Sequence, residues 1–398
     1  MLNDATVSTT VDEENKANWG AVYAMSLCVF ALITSEFLPV SLLTPLAKDL
    51  MLTEGQAGQS IAVSGIFAVL TSLYIALLTR NHDRRPVMLS LTILMIFSGI
   101  VVTIAPNYYI LMAGRALLGI VIGGFWSLST ATLMRLLPAD ELPKGLVFLN
   151  AGNALAATIA APIGSFLGDY IGWRGAFFCI VPIAVASLIW QLMTFPTMKA
   201  TTQKSFSWNV FRLLGRLEFL VGMLAVLCLF MGQFALFTYL RPFLETVTQV
   251  TISQLSINLM LLGVGGFAGT FFVGRILKKT LFPVLIMWPL SLSVLVAGLY
   301  LFGNQLYPTV VLVTLLGFIG SSSSVGWYVW LAKVVPHDTE QGGGLLIAII
   351  QLAITLGAAL GGVLYDHYGY QASFSLAASL LIISGVCSVI SLRLSRNV

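Results

Sequence analysis

NWGAVYAMSLCVFALITSEFLPVSLLTPLAKD, residues 18–49, decides how the rest of the chain is read. The run is apolar and long enough to cross a bilayer, which takes about 20 residues. One carboxylate, Glu36, lies well inside it. A charge at the centre of a spanning helix costs roughly 2.5–3.5 kcal/mol on insertion scales, so such residues sit where they have a task. Two prolines, Pro39 and Pro45, follow Glu36 and are expected to bend that end of the helix, where a gate could close.

Composition extends the reading to the whole chain. Of 398 residues, 58% are hydrophobic and 9% charged, and mean hydropathy is +0.94. Soluble domains carry about 25% charged residues, so the pattern is that of a polytopic membrane protein with the lipid bilayer as its surroundings. The net charge of +4 is small and scattered, which argues against nucleic acid as a partner. Residues 1–18 are polar and acidic, lack a basic signal-peptide start, and are read as a disordered cytoplasmic tail. Cys28, Cys179, Cys228 and Cys387 stand singly in apolar segments, so no metal site, cofactor or disulfide framework is expected and buried, inert thiols are the reading.

The crossing criterion yields an all-α membrane protein of twelve helices: 19–44, 57–79, 86–105, 108–134, 144–168 and 174–195, then 219–241, 252–275, 282–302, 308–333, 343–366 and 371–393. The expected organisation is therefore an N-terminal six-helix bundle (19–195), a cytoplasmic connector (196–218), a C-terminal six-helix bundle (219–393) and a short cytoplasmic tail (394–398). Lysines and arginines set the orientation. Arg80, Arg84, Arg85, Arg135, Lys144, Lys199, Lys204, Arg212, Arg216, Arg275, Lys278, Lys279 and Lys333 fall in loops on one side. Lys16, Arg393 and Arg396 lie in tails on that side, and only Lys48, Arg174 and Arg241 lie opposite. Both termini are thus expected to be cytoplasmic.

An internal repeat links the halves. LLGIVIGGFWSLSTATLMRLLPAD aligns with LLGFIGSSSSVGWYVWLAKVVPHD, pairing Gly119 with Gly317, Arg135 with Lys333, Pro138 with Pro336 and Asp140 with Asp338. GDYIGWRGAF aligns with YDHYGYQASF, pairing Asp169 with Asp366, Gly172 with Gly369 and Phe177 with Phe374. Parallel six-helix repeats place a substrate site near the midplane between them.

With these features the chain resembles the major facilitator superfamily. The superfamily's loop motif stands here as TRNHDRRPV, with Asp83 and Arg84 in the gating positions. Thr79 and Pro86 replace the usual glycines, which would thin the salt-bridge network assigned to that motif. LMAGRALLG carries the arginine motif at Arg115. GNALAATIAAPIGS resembles the antiporter motif, with Gly152, Pro162 and Gly164, although Ala161 stands where a glycine is usual. That motif resembles those of drug:proton antiporters rather than uptake symporters. SEFLPVSLLTP, GGFWSLSTATLMRLLP, AAPIGSFLGDYIGWR, GQFALFTYLRP and IIQLAITLGAALGG narrow the resemblance to bacterial exporters of purine ribonucleosides. It implies a multi-pass, monomeric proton-coupled exporter in the bacterial inner membrane, working by alternating access on a nucleoside-like solute, and no enzyme. Sugar or multidrug efflux, or proton-coupled uptake on the same fold, are the alternatives.

The residues supply candidates for that chemistry. Glu36 and Arg115 are the only carboxylate and guanidinium deep in the spanning regions, each roughly 11–12 Å below the outer surface at about 1.5 Å per residue. Equal depth and opposite sign predict an ion pair or a water-bridged pair, the proton-coupling site; a purely structural lock between two helices is the competing reading. Helical spacing puts Arg115 and Trp126 on one face, Asn150 with Asn153, Gln233 with Phe237, and Gln351 with Thr355. Amides and aromatics around a cavity suit a flat, hydrogen-bonding solute, since base–aromatic stacking is worth about 1–3 kcal/mol. The plainer alternative is amides satisfying one another between helices. Trp327 and Trp330 could be core or interfacial anchors. Four small-residue steps, Gly119/Gly123, Gly164/Gly168, Gly265/Gly269 and Gly357/Gly361, are expected to form the surface on which the halves rock.

Other classes fit less well. GVGGFAG follows no strand and is no nucleotide fingerprint. There is no HExxH, and His82, His337 and His367 fall in loops. The Gly168-Asp169 and Tyr365-Asp366 pairs superficially resemble intramembrane aspartyl protease motifs but sit at helix ends, in the wrong order. No filter sequence marks a channel.

Overall fold

The computed structural model of the chain describes residues 17–79, 82–138, 140–198, 208–335 and 339–395. Most of both tails and residues 199–207 of the connector, with Lys16, Arg80, Lys199, Lys204, Pro336, His337, Asp338 and Arg396, lie outside the described residues. The helices are α1 (Trp19–Asp49), α2 (Glu54–Leu78), α3 (Arg84–Thr103), α4 (Tyr108–Leu136), α5 (Leu142–Phe178), α6 (Ile180–Thr194), α7 (Leu217–Phe237), the short α8 (Leu240–Thr246), α9 (Ile252–Phe302), α10 (Leu306–Val334), α11 (Thr339–Tyr368) and α12 (Tyr370–Ser395). A 3₁₀ turn at Trp208–Gly215 leads into α7. Below, the near end of the bundle is where α1 starts, and the far end is where it finishes.

Local chemistry sets several starts. Asn18 accepts a hydrogen bond from the Ala21 N–H at 3.0 Å and donates to the Thr194 carbonyl at 2.7 Å, capping α1 while fastening it to the end of α6. Asp83 caps α3, Asn107 caps α4, and Thr251 with Gln254 forms a capping box on α9. Gly172, inside α5, and Gly369, between α11 and α12, have φ of 73° and 76°. They are the only described glycines at positive φ, and the repeat pairs them: both bundles turn on the same left-handed glycine.

Among the described residues eleven helical stretches are long and apolar enough to cross a membrane. One of them, Lys144–Thr194, runs to 51 residues, far beyond a single crossing, and Gly172 breaks it. The first helix outruns its expected end, continuing through Pro39 and Pro45 to Asp49, because a proline removes one backbone donor without forbidding the turns beyond it.

Two hydrophobic cores form. One gathers residues of α1–α6 plus Tyr239; the other gathers α7–α12 plus Ile61 and Ala62 of α2. Trp327 and Trp330 belong to the second core, with Trp330 stacked on Phe219 at 5.9 Å, so they are core residues. Cys28, Cys228 and Cys387 are buried, but Cys179 is exposed where α5 gives way to α6, contrary to the expectation of four buried thiols.

The small-residue steps do a different task from the one expected. A methyl group at Gly119 or Gly123 would strike the backbone of α2 at Ser64 or Ala68. At Gly164 or Gly168 it would strike Ser41, Leu38 or Leu42 of α1. Gly265 and Gly269 abut Thr314 and Phe318 of α10, and Gly357 and Gly361 abut Met231 and Ala235 of α7. All four steps therefore pack helices that belong to the same one of the two cores. The junction between sets uses other glycines: Gly65 of α2 faces Thr355 of α11, and Gly263 of α9 faces Thr158 of α5. These two Gly–Thr seats occupy repeat-related positions.

Candidate functional site

The site forms where α1, α4, α7, α10 and α11 meet around Glu36. Arg115, on α4, is fully buried (0% exposed), and Glu36 is 5% exposed. Among the described residues no direct ion pair joins Glu36 to Arg115. Instead Arg115 donates from Nη1 to the Ser35 carbonyl at 2.7 Å, from Nη2 to the Glu36 carbonyl at 3.1 Å and the Ser64 hydroxyl at 3.0 Å, and from Nε to the Ser60 carbonyl at 3.0 Å. At Glu36 the guanidinium meets the backbone carbonyl rather than the carboxylate. The reason lies in α1: Pro39 has no N–H, so the Ser35 carbonyl four residues back lacks its helical donor. Arg115 supplies it, and its flat five-donor fork ties α1 to α2 at the same time.

A second proline repeats the device at the far end. Pro45 frees the Ser41 carbonyl, which accepts from Nη1 of Arg241. Arg241, assigned from sequence to an outer loop, is instead a buried residue of α8, also paired with Glu245 at 2.8 Å. Since α8 follows α7, this bond joins the two sets. Asp366, at the end of α11, accepts from the Thr53 hydroxyl at 2.5 Å and the Gly55 N–H at 2.8 Å. It places a carboxylate on the positive end of α2. Tyr239 fills the space between Gly58 and Gly362 and donates to the Ala358 carbonyl at 2.7 Å. These contacts close the far end.

In the middle, the Gln351 amide of α11 donates to Glu36 Oε1 at 3.3 Å, and Phe37 of α1 stacks on Phe234 of α7 at 5.9 Å. Phe234 meets Phe237 edge-on at 6.4 Å, and Phe237 and Gln233 both approach Gly320 of α10. Thr355 donates to the Gln351 carbonyl at 2.8 Å and sits on Gly65. The structure thus gathers Glu36, Gln233, Phe237, Gln351 and Thr355, and adds Phe37, Phe234 and Gly320.

Other candidates fall elsewhere. Arg115 shares a helix face with Trp126 but is enclosed by α1 and α2, whereas Trp126 stays half-buried toward the near end. Asn150 is exposed and donates to the Leu146 carbonyl of its own helix at 2.8 Å; Asn153 is half-buried. Asp83 accepts from the Arg85 and Met198 N–H groups at 2.8 and 2.9 Å, fixing the start of α3 to the segment after α6. Arg84 donates to the Thr79 hydroxyl at 3.0 Å, so the threonine at a usual glycine position occupies the arginine. Pro162 is half-buried inside α5, and Gly164 is buried against α1. Sequence spacing missed the arginine-capped carbonyls, yet the signal was present: Pro39 and Pro45 each name a carbonyl four residues back.

Two sets of helices meeting at a buried carboxylate define a membrane transporter, and the chain belongs to the Major Facilitator Superfamily, whose profile matches residues 25–305 and 282–397. It is 48% identical, over 99% of its length and 98% of the relative's, to the transcription regulatory protein OpdE of Pseudomonas aeruginosa. It is 36% identical to the purine ribonucleoside efflux pump NepI of Salmonella typhimurium, over 96% of each chain. The solved structure of the nucleoside transporter NupG shares the fold at a TM-score of 0.73 and 13% identity, covering 94% of this chain and 98% of that one. The protein is a multi-pass transporter and not an enzyme.

Proposed function

We propose that the protein is a proton-coupled antiporter that exports purine ribonucleosides of the inosine and guanosine type across the bacterial inner membrane. In this reading twelve crossings form two six-helix halves, residues 19–195 and 219–393, with both termini and the 196–218 connector cytoplasmic, and the monomer is the working unit. The observation that carries the reading is the Glu36–Gln351 hydrogen bond. It places the one deep carboxylate on the junction that alternating access must open and close. The 36% identity to an efflux pump for purine ribonucleosides over 96% of each chain supports the substrate class.

The chemistry follows. Ionised Glu36 holds the Gln351 amide; a proton arriving from outside neutralises it, weakens that bond and lets the solute leave its amides and aromatic rings. Arg115, committed to backbone carbonyls, keeps α1, α2 and α4 in register while the charge on Glu36 changes. Asp83 and Arg84 at the near end, with Pro162 and Gly164 in α5, serve the gating movement, and Trp126, Asn150 and Asn153 line the near-end approach. Glu36, Gln233, Phe237, Gln351 and Thr355 contact the solute.

The test is efflux from cells preloaded with labelled inosine. Cells making the protein lose label faster than cells without it, and are more tolerant of external inosine. Faster accumulation and lower tolerance would assign uptake instead. The OpdE name favours a second reading, in which the solute moved is an effector of gene expression. A reporter would then respond to loss of the protein only when that solute is supplied.

A further inference from the structure

Gln233 is 4% exposed, and its amide nitrogen has no hydrogen-bond partner. A primary amide carries two donors, and buried polar groups in folded proteins are nearly always paired, so an orphaned one marks a place where something else binds. Its neighbours describe what that is. Phe234, the next residue, stacks on Phe37 at 5.9 Å across the junction and meets Phe237 at 6.4 Å. Opposite lies Gly320, where even a methyl group would sit 3.4 Å from the Phe237 ring and 3.7 Å from the Gln233 amide oxygen, so the missing side chain leaves room beside the amide. Gly320, Ser324 and Tyr328 follow one another at four-residue spacing on one face of α10. Tyr328, the one of the three nearest the end of α10, is 46% exposed.

We infer that Gln233 is a specificity-determining residue whose amide N–H groups donate to an in-plane acceptor on the edge of a planar ring held against Phe234 and Phe237. The inference rests on the nucleoside reading above and sharpens it. A 6-oxopurine presents two acceptors, O6 and N7, along the edge that is free when the ribose occupies N9. A site built around a buried donor rejects analogues that lack the acceptor, because the donor then stays unpaired in the complex.

The test measures binding of inosine, 7-deazainosine (no N7) and purine riboside (no O6) to the purified full-length protein. The variants are Gln233→Met and Gln233→Leu, which both remove the amide donors without adding a charge. The wild type is expected to prefer inosine over at least one analogue by about 10- to 100-fold. Both variants are expected to lose that preference by weakening on inosine while holding the analogue. Variants that weaken on all three ligands alike, or keep the wild-type preference, would overturn the inference and leave the nucleoside reading standing. A wild type that binds none of the three overturns both.

Discussion

Arg115 satisfies three backbone carbonyls and one hydroxyl with a single guanidinium. Hydrogen bonds between membrane helices average about 0.6 kcal/mol when measured by double-mutant cycles, so most of its worth is not in the pairs themselves. It lies in the Ser35 carbonyl, which Pro39 leaves without a helical donor and whose desolvation unpaired costs about 1–3 kcal/mol. Arg115→Ala is therefore expected to lower the thermal midpoint of the purified protein, and Pro39→Ala in the same chain to restore part of the loss by returning a backbone N–H to Ser35. No recovery in the double variant would refute the freed-carbonyl account. Arg115→Lys, with three donors on a point charge, should fall short of the wild type in the same measurement. The sequence let one see that Glu36 and Arg115 lie at one level. It hid which oxygen the guanidinium would choose, because depth says nothing of competition between a carboxylate and a proline-freed carbonyl next to it.

At the scale of elements, α1 is held by arginines at two levels, one from its own set of helices and one from the other. Under the proposed alternating access Arg115 stays with α1 as the sets move, whereas Arg241 releases Ser41 as the far end opens. Pro45→Ala returns a donor to Ser41 and removes the reason for that bond. Cysteines placed near the far end should then react faster with a membrane-impermeant thiol reagent than in the wild type, by about the factor of ten that 1.4 kcal/mol supplies. Unchanged labelling would show that Arg241 is no latch. The small-residue steps were legible as close approaches and were assigned to the wrong surface. Gly119 and Gly357 permit contact by the same chemistry whichever helix lies opposite, and a single sequence does not name the neighbour. Gly119→Ala, driven against the α2 backbone, is expected to reduce the yield of folded protein rather than the turnover of what folds.

Over the whole molecule, the sets touch at mid-level through two Gly–Thr seats and at the far end through Asp366, Arg241 and Tyr239. Gly65→Ala would strike the Thr355 side chain, whereas Gly263→Ala would strike the Thr158 backbone carbonyl. The yield of folded protein lost in Gly65→Ala should therefore return with Thr355→Ala, which removes the hydroxyl that is struck, while no substitution at Thr158 should rescue Gly263→Ala. Equal rescue of both would contradict the packing described. The repeat in the sequence foretold the paired turns at Gly172 and Gly369, since left-handed backbone selects glycine in each copy. It did not foretell Asp366 on the start of α2, because pairing two aspartates by the repeat does not name the helix end each one meets. All of this machinery surrounds one carboxylate, and its coupling to protons is the central claim. The most direct measurement is uptake of labelled inosine into inverted membrane vesicles energised with an inward-acid proton gradient, for the wild type and Glu36→Gln. The account predicts accumulation by the wild type that collapses with the gradient, and no gradient-driven accumulation by Glu36→Gln. Wild-type uptake indifferent to the gradient, or normal driven uptake by Glu36→Gln, would contradict it.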